Sequence, residues 1–204
     1  TLADGSTVFL NRQTSMEYAY HAGDNRLTVD LVGEAYFDIS HDEDKVFIVE
    51  AEGTLIKDIG TAFNVQAYPD SSTVEVFVEE GEVVFYTEES PGITLKANAR
   101  GVYHKDTKMF TLGEDTSNIT SYKSKVFTFN NQSLKAVVRK LNQVYKTRIE
   151  IGENLKDCRI TVSFYDESVD EIAEIIAETL GLSLSRSQNS ITLTGDGCRG
   201  AEVQ

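Results

Sequence analysis

The sequence contains no tryptophan, two prolines, two cysteines and three histidines in 204 residues. Without Trp it lacks the stacking platforms of a jelly-roll glycoside hydrolase, and its Tyr and Phe mostly alternate into core-facing positions of expected strands. His21, His41 and His104 are far apart in the chain, form no His-x-x-x-His pattern and serve no nucleophile elbow. Neither Cys158 nor Cys198 has a second thiol or His at metal-ligand spacing, so the two are either free thiols or one disulfide. No apolar run approaches the roughly 20 residues that span a bilayer, and no signal peptide is visible. The chain opens at Thr1-Leu2-Ala3-Asp4-Gly5 without an initiator Met, within what reads as a strand and turn. It therefore reads as a piece of something longer, from which an anchor could have been removed.

Base is scarce as well. Nineteen Lys and Arg stand against 33 Asp and Glu, giving a net charge of −14. A nucleic-acid partner would need clustered base, whereas here the basic residues are scattered among acidic ones, and an anionic membrane surface would be repelled. The acidity reads as a source of solubility. His41-Asp42-Glu43-Asp44 lacks the spaced, Gly-containing pattern that wraps oxygens around calcium and reads as a solvated loop. Gly60-Thr61-Ala62-Phe63 and Gly195-Asp196-Gly197 do not precede helices, so they are turns rather than phosphate cradles. No catalytic residue, metal or cofactor is expected. The chain reads as a non-catalytic interaction protein.

Residues 1–112 form an all-β domain of many short strands at even spacing, an antiparallel sandwich or roll, with a stacked solenoid as the competing architecture. Residues 113–121 are polar and turn-rich and read as a linker. From 122 to 204 the period changes to that of a small α+β domain of two β-α-β units. Leu134, Val137, Val138, Leu141, Val144 and Tyr145 line one helix face. Val169, Ile172, Ile175, Ile176 and Leu180 line a second, opened by the capping box Ser168-Val169-Asp170-Glu171 and ended by Gly181. A shift of 35 positions superimposes the two units, with Phe127 on Val162, Phe129 on Phe164, Ser133 on Ser168, Val137 on Ile172 and Leu141 on Ile176. Each unit alone exposes an apolar helix face and an apolar sheet face, so the pair is expected to close one core, two helices on one sheet.

Several motifs, taken in order, resemble the FecR family. They are Leu2-x-Asp4-Gly5-Ser6-x-Val8-x-Leu10-Asn11, Arg26-x-x-x-x-Leu31-x-Gly33-Glu34-Ala35-Tyr36-Phe37-Asp38-Ile39, Gly60-Thr61-x-Phe63-Asn64-Val65 and Val78-Glu79-Glu80-Gly81-Glu82-Val83. The second half, with Phe127-x-Phe129-x-Asn131-x-x-Leu134, is similar to the C-terminal domain of Bacteroidetes members, a secretin and TonB short N-terminal-like fold. Tyr122 stands where the family usually has Trp. The resemblance implies an inner-membrane anti-sigma factor whose periplasmic region receives a signal from the signalling domain of an outer-membrane TonB-dependent transporter. Its sigma-factor-binding segment and membrane span would lie upstream.

Under that resemblance, edge strands become candidate docking sites for a partner strand, namely Phe127-Thr128-Phe129 and Ile191-Thr192-Leu193. The implied oxidising periplasm also gives the cysteines a use. Cys158 precedes one strand and Cys198 follows the last, so a disulfide would tie down the tail if those strand ends are neighbours. Two other functions compete: direct sensing of a glycan or siderophore by the β-domain, and a subunit of a secretin-like ring.

Overall fold

The computed structural model describes residues 1–198 except 3, 4, 43, 59 and 115. The chain is mostly β and divides into two compact units, Thr1–Lys123 and Ser124–Gln204.

Unit 1 is a single large, nearly closed sheet. Its strands are β1 (Thr7–Leu10), β2 (Ser15–His21), β3 (Arg26–Asp38), β4 (Val46–Ala51), β5 (Thr54–Asp58), β6 (Ala62–Ala67), β7 (Thr73–Glu80), β8 (Glu82–Thr87), β9 (Ser90–Lys96), β10 (Arg100–His104) and β11 (Met109–Gly113). The order is β11-β10-β7-β6-β3-β4-β5-β8-β9, with β1 and β2 also on β3. Every pair is antiparallel except β3 with β4, so the unit is a roll and not a solenoid. Strand β2 is an addition to the strands read from the sequence, and the expected Asp4 turn lies outside the described residues.

Strand β3 is long, at 13 residues. Leu27, Val29 and Leu31 alternate inward. At Gly33 the φ of +108° suits only glycine, and a Cβ would lie 2.9 Å from the Cα of Thr14. Beyond it Glu34, Ala35, Tyr36 and Phe37 are all buried, because both faces of the strand are covered. Inside, Phe37 stacks on Phe63 at 5.1 Å and meets Phe47 at 5.8 Å. At the far side of the roll Phe110 of β11 packs edge-on against Phe85 of β8 at 5.0 Å, bringing the two ends of the sheet together.

The polar stretch after Gly113 leads into one helical turn, α1 (Ser121–Ser124), in which Ser121 and Tyr122 are buried. Unit 2 follows as β12 (Val126–Ser133), α2 (Leu134–Val144), β13 (Arg148–Ile151), a 3-10 turn at Glu153–Leu155, β14 (Arg159–Tyr165), α3 (Val169–Leu180), β15 (Ser183–Arg186) and β16 (Ser190–Thr194). The two rounds are both present, and they build two sheets where one was expected. The opening strands β12 and β14 pair antiparallel with each other, while the closing strands β13 and β15 flank β16. Ser133 and Ser168 cap their helices at matching positions, and only Ser168 has the reciprocal Glu171 bond of a capping box. The buried face of α3 is Val169, Ile172, Ala173, Ile176 and Ala177. Ile175 and Leu180 are only half-buried, because the small Ala173 and Ala177 take the positions of closest packing.

Cys158 and Cys198 are bonded, with Cα atoms 5.4 Å apart. The bond holds more than a tail. Around Cys158 the chain offers carbonyls to the start of α2: Leu134 N–H donates to Cys158 O at 2.7 Å and Lys135 N–H to Lys156 O at 3.1 Å. With Ser133 Oγ accepting from Ala136 N–H, three otherwise orphaned donors of α2 are satisfied. Closing a loop of 40 residues restricts the unfolded chain by about 4 kcal/mol. Reduction should therefore lower the urea midpoint of unit 2, and a Cys158→Ala/Cys198→Ala variant should show the lower midpoint without reductant. Equal midpoints in both comparisons would remove this role.

Candidate functional site

The two strands singled out as docking edges have different fates. Ile191, Thr192 and Leu193 lie in β16, which pairs with β13 on one side and β15 on the other. β16 is the centre of its sheet, not an edge, because the hairpin and the parallel crossover claim both of its ladders. Phe127, Thr128 and Phe129 lie in β12, whose one strand partner among the described residues is β14. The side chains of Phe127 and Phe129 are buried, Thr128 points outward, and Phe129 meets Phe164 edge-on at 6.3 Å. β12 is thus a strand anchored from one face by its phenylalanines. A bulge ends its regular pairing between Phe129 and Gln132, where Asn131 adopts a φ of +48°.

The edges of the other sheet are managed. Along β13, the side chain of Asn142 from α2 donates to Ile149 O at 2.9 Å and accepts from Ile149 N–H at 2.8 Å. One amide thereby imitates a neighbouring strand and fills both outward groups of Ile149. Along β15, Arg186 is drawn into ion pairs with Asp170, at 3.0 Å, and Glu174 of α3. Asn142 had a weak sequence signal, a poor helix former set among the apolar stripe of α2.

Unit 1 carries a buried polar cluster on the outer face of β3. Glu34, 5% exposed, accepts from Asn11 Nδ2 at 2.6 Å and from Asn64 Nδ2 at 3.0 Å. Tyr122 completes it by donating its hydroxyl to Asn64 Oδ1 at 2.8 Å. Beside it, Lys123 Nζ lies 3.5 Å from the ring centroid of Tyr36, whose hydroxyl bonds Glu79. Burial first, and then the nearby Glu34 carboxylate, hold the Tyr122 phenol well above its ordinary range, so it stays a neutral donor. The segment just before unit 2 is in this way pinned to the outer face of unit 1.

Unit 1 also holds an open cleft of ≈ 620 Å³ lined by Asp30, Glu50, Glu52, Glu88 and Glu89 with Lys108. Its one lining aromatic, Tyr103, is buried. The cleft offers no exposed ring for a sugar to stack on, and its carboxylates would repel an anionic siderophore. Among the described residues no group of three His, Cys, Asp or Glu could hold a metal, and no helix is long and apolar enough to cross a membrane.

Family models agree with this architecture unit by unit. The model for FecR protein matches residues 1–84 and that for FecR, C-terminal, matches residues 126–193. The chain belongs to the FecR family. Two crystal structures of anti-sigma-factor candidates from Parabacteroides distasonis, at 1.65 and 2.50 Å resolution, each align with a TM-score of 0.71 and 27% identity, over 97% of this chain and 93% of theirs. No curated protein matches the sequence. The family gives the chain a regulatory, anti-sigma role and implies a sigma factor as partner.

In FecR terms, the motif residues Glu34 and Asn64 are the sockets for the residue at 122, which explains why an aromatic with a polar handle stands there. Tyr122→Phe should leave Asn64 without its buried donor and destabilise unit 1 by about 1–3 kcal/mol in urea unfolding. Asn142→Ala should cost unit 2 a similar amount, about 1–3 kcal/mol, and should also promote self-association through the uncovered β13 edge, visible by light scattering.

Proposed function

We propose that this chain is the periplasmic, signal-receiving region of an anti-sigma factor. It relays the state of an outer-membrane TonB-dependent transporter to a cytoplasmic sigma factor through an upstream membrane span. Unit 2 is the receiving end, and it docks the transporter's signalling domain by adding a partner strand to β12.

The supporting observation is the asymmetry among the strand edges of unit 2. Asn142 fills the outward groups of Ile149 on β13 and β15 carries the charged Arg186, while β12, like its partner β14, has one strand neighbour among the described residues, with a regular ladder from Val126 to Phe129. Edges left unpaired invite association, so natural proteins usually blunt them, and a retained edge fits a use. Direct sensing of a glycan or siderophore has less support, since the cleft of unit 1 has no exposed stacking platform and its five acids outnumber its one Lys108.

Titration calorimetry with the purified signalling domain tests the reading. Wild-type chain should bind, and Thr128→Pro should weaken binding at least about tenfold while thermal unfolding shows unit 2 intact. Absence of wild-type binding, or equal binding by a folded Thr128→Pro chain, would overturn it.

A further inference from the structure

The acidity of this chain is unevenly distributed. Residues 1–123 carry nine Lys and Arg against 22 Asp and Glu, whereas residues 124–204 carry ten against eleven. Across the start of unit 2 the charges separate further. From residue 116 to residue 149 there is no Asp or Glu, where the chain average would place about five. The same stretch contains Lys123, Lys125, Lys135, Arg139, Lys140, Lys146 and Arg148.

The internal repeat shows that folding alone does not demand this. At the 35-residue shift, buried positions of the two helices match in kind, Val137 with Ile172 and Leu141 with Ile176. The solvent-facing positions invert: Lys135 corresponds to Asp170, Arg139 to Glu174, and the neutral Gln143 to Glu178. Asp170 and Glu171 in the first turn of α3 suit its positive end. Lys135 in the first turn of α2 opposes the helix dipole, and that turn has no acid to offset it. On α3 the acids are partly neutralised by Arg186. On α2, Lys135 and Arg139 make no salt bridge among the described residues, although the Lys135 charge acts on Glu153, which is itself paired with Lys156 at 2.5 Å. The basic face is therefore retained against a small local cost to the helix.

We infer that the solvent face of α2, carried by Lys135 and Arg139, is a docking surface for an acidic protein segment, the one whose strand adds to β12. Charge complementarity and continuity both point there. Helix α2 packs beside β12, and strand and helix share the acid-free stretch. A lipid surface fits less well: the exposed face of α2 has no apolar side chain to insert, and unit 1 would oppose approach to anionic headgroups. The inference rests on the relay reading for its partner and adds that the partner's docking segment is acidic.

The test is titration calorimetry of the 204-residue chain with the signalling domain, at about 50 and about 300 mM salt. Wild-type affinity should fall at least about tenfold between the two, and Lys135→Glu/Arg139→Glu should lose at least about tenfold at low salt. Glu178→Lys on α3, a reversal of equal size on the matching helix, should leave affinity within about twofold. No wild-type binding overturns the relay reading and this inference together. If Thr128→Pro abolishes binding while the α2 reversal leaves it unchanged, the relay stands and this inference falls. Vesicles containing phosphatidylglycerol separate the lipid alternative: binding that the α2 reversal removes, with signalling-domain affinity unchanged, overturns the protein-docking assignment.

Discussion

Strand β3 is paired along both of its edges at both of its ends, and the roll of unit 1 follows from that. Its first half joins β2 and β4, and its second half joins β1 and β6. A strand so fully committed cannot shift register by one residue without turning Leu27, Val29 and Leu31 out of the core. At Gly33, between the two halves, the backbone takes a φ of +108° and the tight approach of Thr14 leaves no room for a side chain. Immediately beyond Gly33, Glu34 and Tyr36 point away from the core and would be wet on an ordinary sheet. They are instead covered by Asn11, Tyr122 and Lys123. Pinning the 121–123 segment thus uses the strand that organises the unit, so a pull on that segment acts on the best-supported element of unit 1.

Unit 2 shows how a doubled motif becomes asymmetric. Both rounds supply strand, capped helix and strand, but the hairpin to β16 has no counterpart in the first round. The extra strand takes the place between β13 and β15, which leaves β12 and β14 as a separate pair. Edges then arise by necessity, and the side chains of Asn142 and Arg186 answer two of them. Neither device protects β12. Its two inward phenylalanines anchor it from one face, and β14 is its strand partner among the described residues.

Much of this was legible in the sequence, for reasons that can be stated. Helix existence followed from the period-3.6 stripe of α2 and the Ser168 capping box, both local signals, and the strands of unit 1 followed from alternation bounded by turns. Sheet order was not legible, since a period-2 pattern says which side of a strand is buried and nothing about its neighbours. For that reason Ile191-Thr192-Leu193 read as a terminal edge although a parallel crossover makes it central. The full stripe predicted for α3 placed Ile175 in the core, whereas packing chose the smaller Ala173 and Ala177. The Glu34 cluster joins residues up to 111 positions apart, from Asn11 to Tyr122, and no local pattern links residues at such distances.

Net charge was the least informative number of all, because it averages two different surfaces. A value of −14 argues against polyanionic partners for the chain as a whole and hides that 34 consecutive residues contain no acid. Screening in physiological salt confines exposed charges to roughly 8 Å, so a partner meeting α2 responds to the local stripe far more than to the sum. The repeat makes this separation interpretable. The two helices keep matching buried residues at Val137 and Ile172 and at Leu141 and Ile176, and take opposite charges at the exposed pairs Lys135 and Asp170, and Arg139 and Glu174, so at these positions the core constraint and the surface constraint can be told apart. Where a first-turn lysine replaces the acid that its twin helix uses to suit the dipole, stability is a poor explanation and recognition by an acidic surface is a better one.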